Sequence, residues 1–249
     1  MEEQNQTLTL IKGRFIVLKE LGKGSYGDVY KCFDTQKQKN VAIKQLTKFQ
    51  MHKGIPPTSI REIGILRSLK HHLIVQLIEI CEDEKHNVFL VFEMMHCDLN
   101  TLINFYKGDI PKQKVRNIMH QLLLAVNYLH SKRIFHRDLK PGNVLIDRDA
   151  QKIKLADFGL SRTFHQPFRP YSCEVSTLCF KAPEVCLGVK HYSIGVDMWS
   201  LGCVFGKLAT GKYVLWPEDN SDLGMLANIF RVLGTPNLVH SPNLYGYCT

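Results

Sequence analysis

What the chain lacks narrows its class first. None of its eight cysteines forms a C-x-x-C pair, which argues against a zinc ribbon; reduced thiols are the expectation, several of them small core residues. No apolar run is long enough to span a bilayer, and the opening MEEQNQTLTL has no charged-then-apolar leader pattern, so no membrane role is expected. There is no internal repeat, low-complexity tract or Ser/Gly linker. Acidic residues are the minority: 23 against 32 basic, a formal charge of +9. Lys and Arg are nevertheless scattered rather than clustered with aromatics, so nucleic acid is not an expected partner. A phosphate-rich or acidic partner fits the surplus better.

What is present is ordinary globular material, 45% hydrophobic and 22% charged over 249 residues. RFIVLKELGKGSYGDVYKCFD sets β-branched and aromatic runs on both sides of a glycine cluster, which predicts strand, turn, strand. KNVAIKQL is a third strand; LIVQLIEI and NVFLVFEMM are two more. Between them a helix is expected near Thr58, with Ile60, Ile63, Leu66 and Leu69 at helical spacing. Beyond residue 99 the period changes. Val115, Ile118, Leu122, Val126 and Leu129 mark a long helix after Pro111, and SIGVDMWSLGCVFGKLAT and DLGMLANIFRVL mark two later ones. The expected organisation is an N-terminal tail 1–13, a β-rich lobe with one helix 14–94, a mainly helical lobe 95–237 and a divergent tail 238–249, with the two lobes touching: an α+β bilobal fold.

IFHRDLKPGNVLI concentrates costly polar groups between apolar flanks. Asp138 can accept a proton from a hydroxyl, Lys140 can neutralise a transferred phosphoryl group, and Asn143 offers an amide oxygen to a hard cation. ADFGL adds Asp157 as a second oxygen ligand, and His136 reads as a brace for the loop. Upstream, Gly22, Gly24 and Gly27 fit G-x-G-x-x-G, which lets backbone N–H groups approach phosphate oxygens. A dinucleotide fold would lead from that pattern into a helix; here VYKCFD follows as a strand. Lys44 in VAIK ends an apolar strand and needs an anion, which Glu62 on the next helix can supply.

This set of motifs, in this order, resembles the eukaryotic protein kinases, and within them the serine/threonine cyclin-dependent kinases, over Phe15 to about Asn237. The resemblance implies an ATP- and Mg²⁺-dependent transfer of phosphoryl to protein Ser or Thr, proline-directed as a first expectation. It implies that the loop Leu21, Gly22, Lys23, Gly24, Ser25, Tyr26, Gly27, Asp28 and Val29 covers ATP phosphates, and that Lys44 and Glu62 hold the α- and β-phosphates. Glu93 and Met95 would meet adenine by their backbones; Val29, Ala42 and Leu145 would sandwich it, and Asp98 would complete the nucleotide site. Asn143 and Asp157 would bind Mg²⁺, with Asp138 and Lys140 catalytic. Asp197 resembles the residue that braces the catalytic loop.

PPTSIREIGIL is close to the family's cyclin-binding helix, so a cyclin-like activator is expected on Pro57–Leu69, drawing Glu62 in to Lys44. Ser172 stands where the family carries an activating phosphate, with Arg61, Arg137 and Arg162 to cradle it; Ser25 and Tyr26 resemble inhibitory phosphosites. Three departures stand out. Lys181 replaces the arginine that shapes the family's pocket for proline, and lacks its fork. Cys179 reads as a packed, inert thiol. The resemblance implies further helices after LGTPN and an arginine to pair with Glu184; neither is found in LVHSPNLYGYCT, so an incomplete helical lobe with open apolar faces is the expectation. The alternative is therefore a non-catalytic module that sequesters a cyclin or substrate. A mitogen-activated kinase is a lesser one, since RPYSCEV has no Thr-x-Tyr pair. Nucleus or cytoplasm is the expected location.

Overall fold

A computed structural model describes residues 10–24, 27–46, 57–83, 87–163, 178–189, 193–217 and 219–236. The fold is α+β, and the chain divides into two compact units, residues 1–96 and 97–249.

The first unit contains β1 (Leu10–Ile11), β2 (Phe15–Gly24), β3 (Gly27–Asp34), β4 (Lys39–Leu46), α1 (Pro57–Ser68), β5 (Leu77–Glu82) and β6 (Val88–Glu93). The strands form one antiparallel sheet in the order β1-β2-β3-β4-β6-β5. Residues 10–11, inside the stretch expected to be a tail, pair with Phe15 and Ile16 as β1. Phe15, Cys32, Val41, Ile43, Phe89 and Val91 form the core beneath the sheet, because alternate residues of each strand share a face. Register shifts in β2 between Val17 and Lys19, and between Glu20 and Gly22, break that alternation and leave Leu18 and Leu21 exposed.

Arg14 fixes one end of the sheet. Its guanidinium donates to both carboxylate oxygens of Asp34, at 2.8 and 2.6 Å, and to Glu79 Oε1 at 3.0 Å. That contact, with backbone N–H donors from Gln36 and Lys37, holds the buried Asp34 carboxyl down at about 2, and the carboxylates raise the Arg14 pKa in turn.

Helix α1 is oriented by a charge. Of the residues at helical spacing Leu66 and Leu69 are buried, beside Glu62 and Ile65, Ile63 is half-buried, and Ile60 is 57% exposed. Burying the Glu62 carboxylate against Lys44 sets the inward face, and Ile60, two residues and about half a turn earlier, is left on the outside.

The second unit contains β7 (Cys97–Asp98), α2 (Leu99–Phe105), α3 (Lys112–Ser131), β8 (Ile134–Phe135), β9 (Val144–Ile146), β10 (Ile153–Leu155), β11 (Arg162–Thr163), α4 (Pro183–Cys186), α5 (Gly195–Thr210) and α6 (Asp222–Leu233). Helix α3 follows Pro111, and all five of its periodic apolar residues are buried. Helix α5 stops at Gly211, whose φ of 71° favours glycine and whose N–H reaches the Lys207 carbonyl. Helix α6 is capped by Ser221, whose Oγ accepts from the Gly224 N–H. Small antiparallel ladders, β10-β9-β7 and β11-β8, bring the polar loop Phe135–Val144 and the segment after β10 together. Among the described residues, no helix is long and apolar enough to cross a membrane.

Candidate active site

In the second unit, the loop that begins at His136 is hung from one carboxylate. Asp197, on the first turn of α5, is fully buried. Its Oδ2 accepts the His136 N–H at 2.9 Å and its Oδ1 accepts the Arg137 N–H at 2.8 Å. His130 Nε2 lies 2.8 Å from the same Oδ2. Arg137 sits at φ 69°, a left-handed conformation that a side-chain-bearing residue seldom adopts, and the two N–H bonds to Asp197 hold it there. His136 is buried, takes the Asp138 N–H on Nδ1 at 3.3 Å and donates from Nε2 to the Ala156 carbonyl at 3.0 Å. It is a brace between the loop and the segment after β10.

Asp138 is the product of this scaffold. Its Oδ2 accepts from Asn143 Nδ2 at 2.9 Å and pairs with Lys140 Nζ at 2.7 Å. Its Oδ1 is buried and has no hydrogen-bond partner among the described residues. A buried carboxylate oxygen left without a donor is costly, so the arrangement fits an incoming hydroxyl proton. Asn143 spends its amide N–H₂ on Asp138, also reaching the Asp138 carbonyl at 2.8 Å, which turns its side-chain oxygen to acceptor duty.

Asp157 follows β10 with φ 62°, again left-handed. Phe158 beside it is buried, its ring 5.1 Å from that of His136 in an edge-on contact. Ala156 N–H donates to the Asn143 carbonyl at 2.9 Å, so the two candidate metal ligands belong to segments that are directly bonded. Two side-chain oxygens of this kind suit a hard divalent cation such as Mg²⁺.

In the first unit, Lys44 and Glu62 meet at 2.7 Å, both buried. The glutamate is already drawn in, so the movement expected on partner binding has no distance left to cover in this conformation. Across the β2–β3 hairpin, Gly24 faces Gly27. Gly27 has φ 136°, and a Cβ there would collide with the Gln45 carbonyl oxygen, so no other residue fits. Ser25 and Tyr26, between them, lie outside the described residues, as does Ser172. Leu21, Gly22, Asp28 and Val29 lie on the two strands of the hairpin, along with the backbone of Lys23.

The other expected residues are placed as follows. Ala42 and Val29 are half-buried on β4 and β3, Met95 is half-buried, and the Glu93 N–H donates to the Gln76 carbonyl at 3.3 Å. Leu145 is half-buried on β9. Asp98 caps α2, its Oδ1 accepting the Thr101 N–H at 2.7 Å. Arg61 is half-buried on α1, Arg137 is buried in the loop, and Arg162 pairs with Phe135 between β11 and β8. Cys179 is buried, as a packed thiol is expected to be, and that burial raises its thiol pKa.

Lys181 has a partner that sequence reading missed. It is buried, and its Nζ lies 2.6 and 2.8 Å from the two oxygens of Asp222, in the first turn of α6. Their separation of 41 positions leaves no local pattern to read. His130 in the Asp197 cluster was missed for the same reason: its only signal is its place on α3, where it reads as a surface residue.

A protein kinase domain family model matches residues 15–244. A cell division control protein 2 homolog 2 from Trypanosoma brucei brucei is 42% identical over 223 residues, which is 90% of this chain and 64% of that relative. The chain thus spans a little under two thirds of the length of the curated relative it matches.

Proposed function

This chain belongs to the eukaryotic protein kinase family, within which it is cyclin-dependent-kinase-like, and from that premise we propose that it catalyses phosphoryl transfer to protein serine or threonine. The observation that carries the proposal is Asp138: one carboxylate oxygen pinned by Asn143 and Lys140, the other buried and without a hydrogen-bond donor among the described residues. A purely structural aspartate would have both oxygens satisfied.

ATP with Mg²⁺, when bound, supplies the γ-phosphoryl group and a cationic counterweight to its charge. Asn143 and Asp157 offer the oxygen ligands for the metal. Lys44, held by Glu62, takes the α- and β-phosphates, under the backbone of the glycine hairpin. Asp138 Oδ1 orients the acceptor hydroxyl and receives its proton, while Lys140 sets its positive charge beside that carboxylate to balance the transferred group. The loop contributes by position rather than covalent chemistry, which is why its strained backbone is fixed so firmly to Asp197.

A cyclin-like partner on the Pro57–Leu69 region is part of the proposal, supported by the exposed Ile60 on α1. Phosphate on Ser172 as activator, phosphate on Ser25 or Tyr26 as inhibitor, and a nuclear or cytoplasmic site of action complete it. Ser-Pro is the first substrate to try, although Lys181 spends its charge on Asp222 and offers no guanidinium fork.

The test is direct. The purified chain with a cyclin, γ-labelled ATP, Mg²⁺ and a Ser-Pro protein substrate should transfer label to serine. No label while cyclin binding persists would replace the enzyme by the second reading, a module that sequesters cyclin or substrate.

A further inference from the structure

We propose that Lys207, Asn100 and Tyr213 form an anion-receiving subsite for the protein substrate beside the phosphoryl-transfer loop. The proposal rests on the kinase reading above and deepens it: the preferred substrate carries a carboxylate or phosphoryl side chain near its acceptor residue.

Lys207 lies on α5 and is only 7% exposed. Among the described residues its ammonium meets the Asn100 side-chain oxygen at 2.9 Å and the Tyr213 ring, 3.8 Å from the centroid, with the buried Cys179 thiol near enough to feel its charge. None of these is a carboxylate. The other lysines of the two units that are tied to the machinery each have a carboxylate close by: Lys44 at 2.7 Å, Lys140 at 2.7 Å and Lys181 at 2.6 Å. Among the described residues Lys207 has none. A buried ammonium is ordinarily paired with a carboxylate, because an amide dipole and a ring quadrupole return only part of the hydration it loses. It also carries three N–H donors, of which Asn100 takes one. Charge and donor capacity are both left over.

The position gives that surplus a use. Asn100 Nδ2 stands 3.5 Å from where a Cβ on Gly142 would be. Gly142 lies between Lys140 and Asn143, the two residues whose side chains grip Asp138 Oδ2. The ammonium, the Asn100 amide and the acceptor loop therefore form one run of contacts within the second unit. Gly142 contributes no side chain to block it. On the solvent side Tyr213 is 40% exposed and stacks at a tilt on Trp216, itself 59% exposed, with ring centroids 4.9 Å apart. The result is a cationic floor beneath an aromatic rim. An anionic side chain entering beside Tyr213 gains a charge-assisted hydrogen bond to Lys207. A basic side chain there meets a like charge in surroundings that screen it poorly.

The experiment uses the full chain with its activator. Serine peptides would differ only in one residue, Glu, phosphoserine, Ala or Lys, walked along either side of the acceptor. Transfer from labelled ATP–Mg²⁺ and equilibrium binding by fluorescence anisotropy are both read. At one position Glu or phosphoserine should exceed Lys by about tenfold in kcat/KM, carried by KM, as expected for one charge-assisted hydrogen bond. Phosphoserine well above Glu assigns the subsite to a phosphorylated substrate; parity assigns it to an acidic one. Lys207→Glu should reverse the preference. Because Lys207 is buried, Asn100→Asp is the second variant: it gives the ammonium an internal carboxylate without opening a cavity, and should abolish the preference with no loss of melting temperature. Equal use of all the peptides by the wild type, or a preference that survives Asn100→Asp, overturns the proposal and leaves the kinase reading standing. If no peptide accepts label, that reading fails instead. The binding arm then decides the inference alone: tighter binding of the Glu peptide than of the Lys peptide, lost in Asn100→Asp, upholds it, and equal binding rejects it.

Discussion

Lys44 and Glu62 in the first unit meet cation to anion at 2.7 Å, and Arg14 and Asp34 do the same at 2.6 Å. In the second unit the buried Asp197 meets two backbone N–H groups and an imidazole instead, and Asp138 keeps one oxygen in reserve. Direct pairs cancel charge and fix where a side chain stands. A carboxylate spent on backbone amides fixes the shape of a loop, and that loop can then hold a second carboxylate incompletely satisfied. The two pairs of the first unit thus position side chains, as Lys181 and Asp222 do in the second, whereas the Asp197–Asp138 cluster of the second unit keeps one acceptor available for chemistry.

The sharpest way to break this contrast is Asp197→Ala. Two backbone donors lose their acceptor inside the protein, and Arg137 loses what holds its left-handed backbone. Chemical denaturation should show a loss above about 4 kcal/mol, at the severe end for single substitutions. The first unit should answer differently. Lys44→Met takes the ammonium away from the buried Glu62 carboxylate and should cost about 3–5 kcal/mol, whereas Lys44→Met with Glu62→Leu should regain most of that stability. A double-mutant cycle on the denaturation midpoint measures this, and the double variant should remain without phosphoryl transfer.

Acid tests the Arg14–Asp34 pair. Asp34 has its folded pKa depressed to about 2, so its contribution is complete above the ordinary carboxylate range, near 4, and is lost as pH falls toward 2. On the order of 2–3 kcal/mol of stability should disappear across that window in the wild type. Asp34→Asn, less stable from the outset, should show a correspondingly flatter acid limb. The smallest effect concerns thiols. Burial pushes Cys32 and Cys203 up to about 11 and Cys186 to about 12, while Cys97 is only half-buried. Under native alkylation at neutral pH, followed by mass spectrometry, Cys97 should react ahead of those three.

Much of this was legible in the sequence because its signals are local. The five apolar residues of α3 announce their buried face at helical spacing, and Asp138, Lys140 and Asn143 lie within six residues, so the loop that joins them could be read directly. Long-range partners left no such trace. Asp222 for Lys181, and Asn100 for Lys207 over 107 residues, depend on how helices pack, which no short pattern encodes. On α1 the Lys44–Glu62 pair was legible from the two motifs together, and the structure brings the two side chains to 2.7 Å with Ile60 left exposed.

One measurement bears most directly on the reserve oxygen of Asp138: single-turnover transfer of labelled phosphate by wild type and Asp138→Asn, with nucleotide-induced melting shifts recorded on the same samples. The account predicts that transfer falls by about a thousandfold, within the usual range for a lost general base, while the ATP–Mg²⁺ melting shift is unchanged. Transfer retained within a few fold in Asp138→Asn, with nucleotide bound equally well, would contradict it.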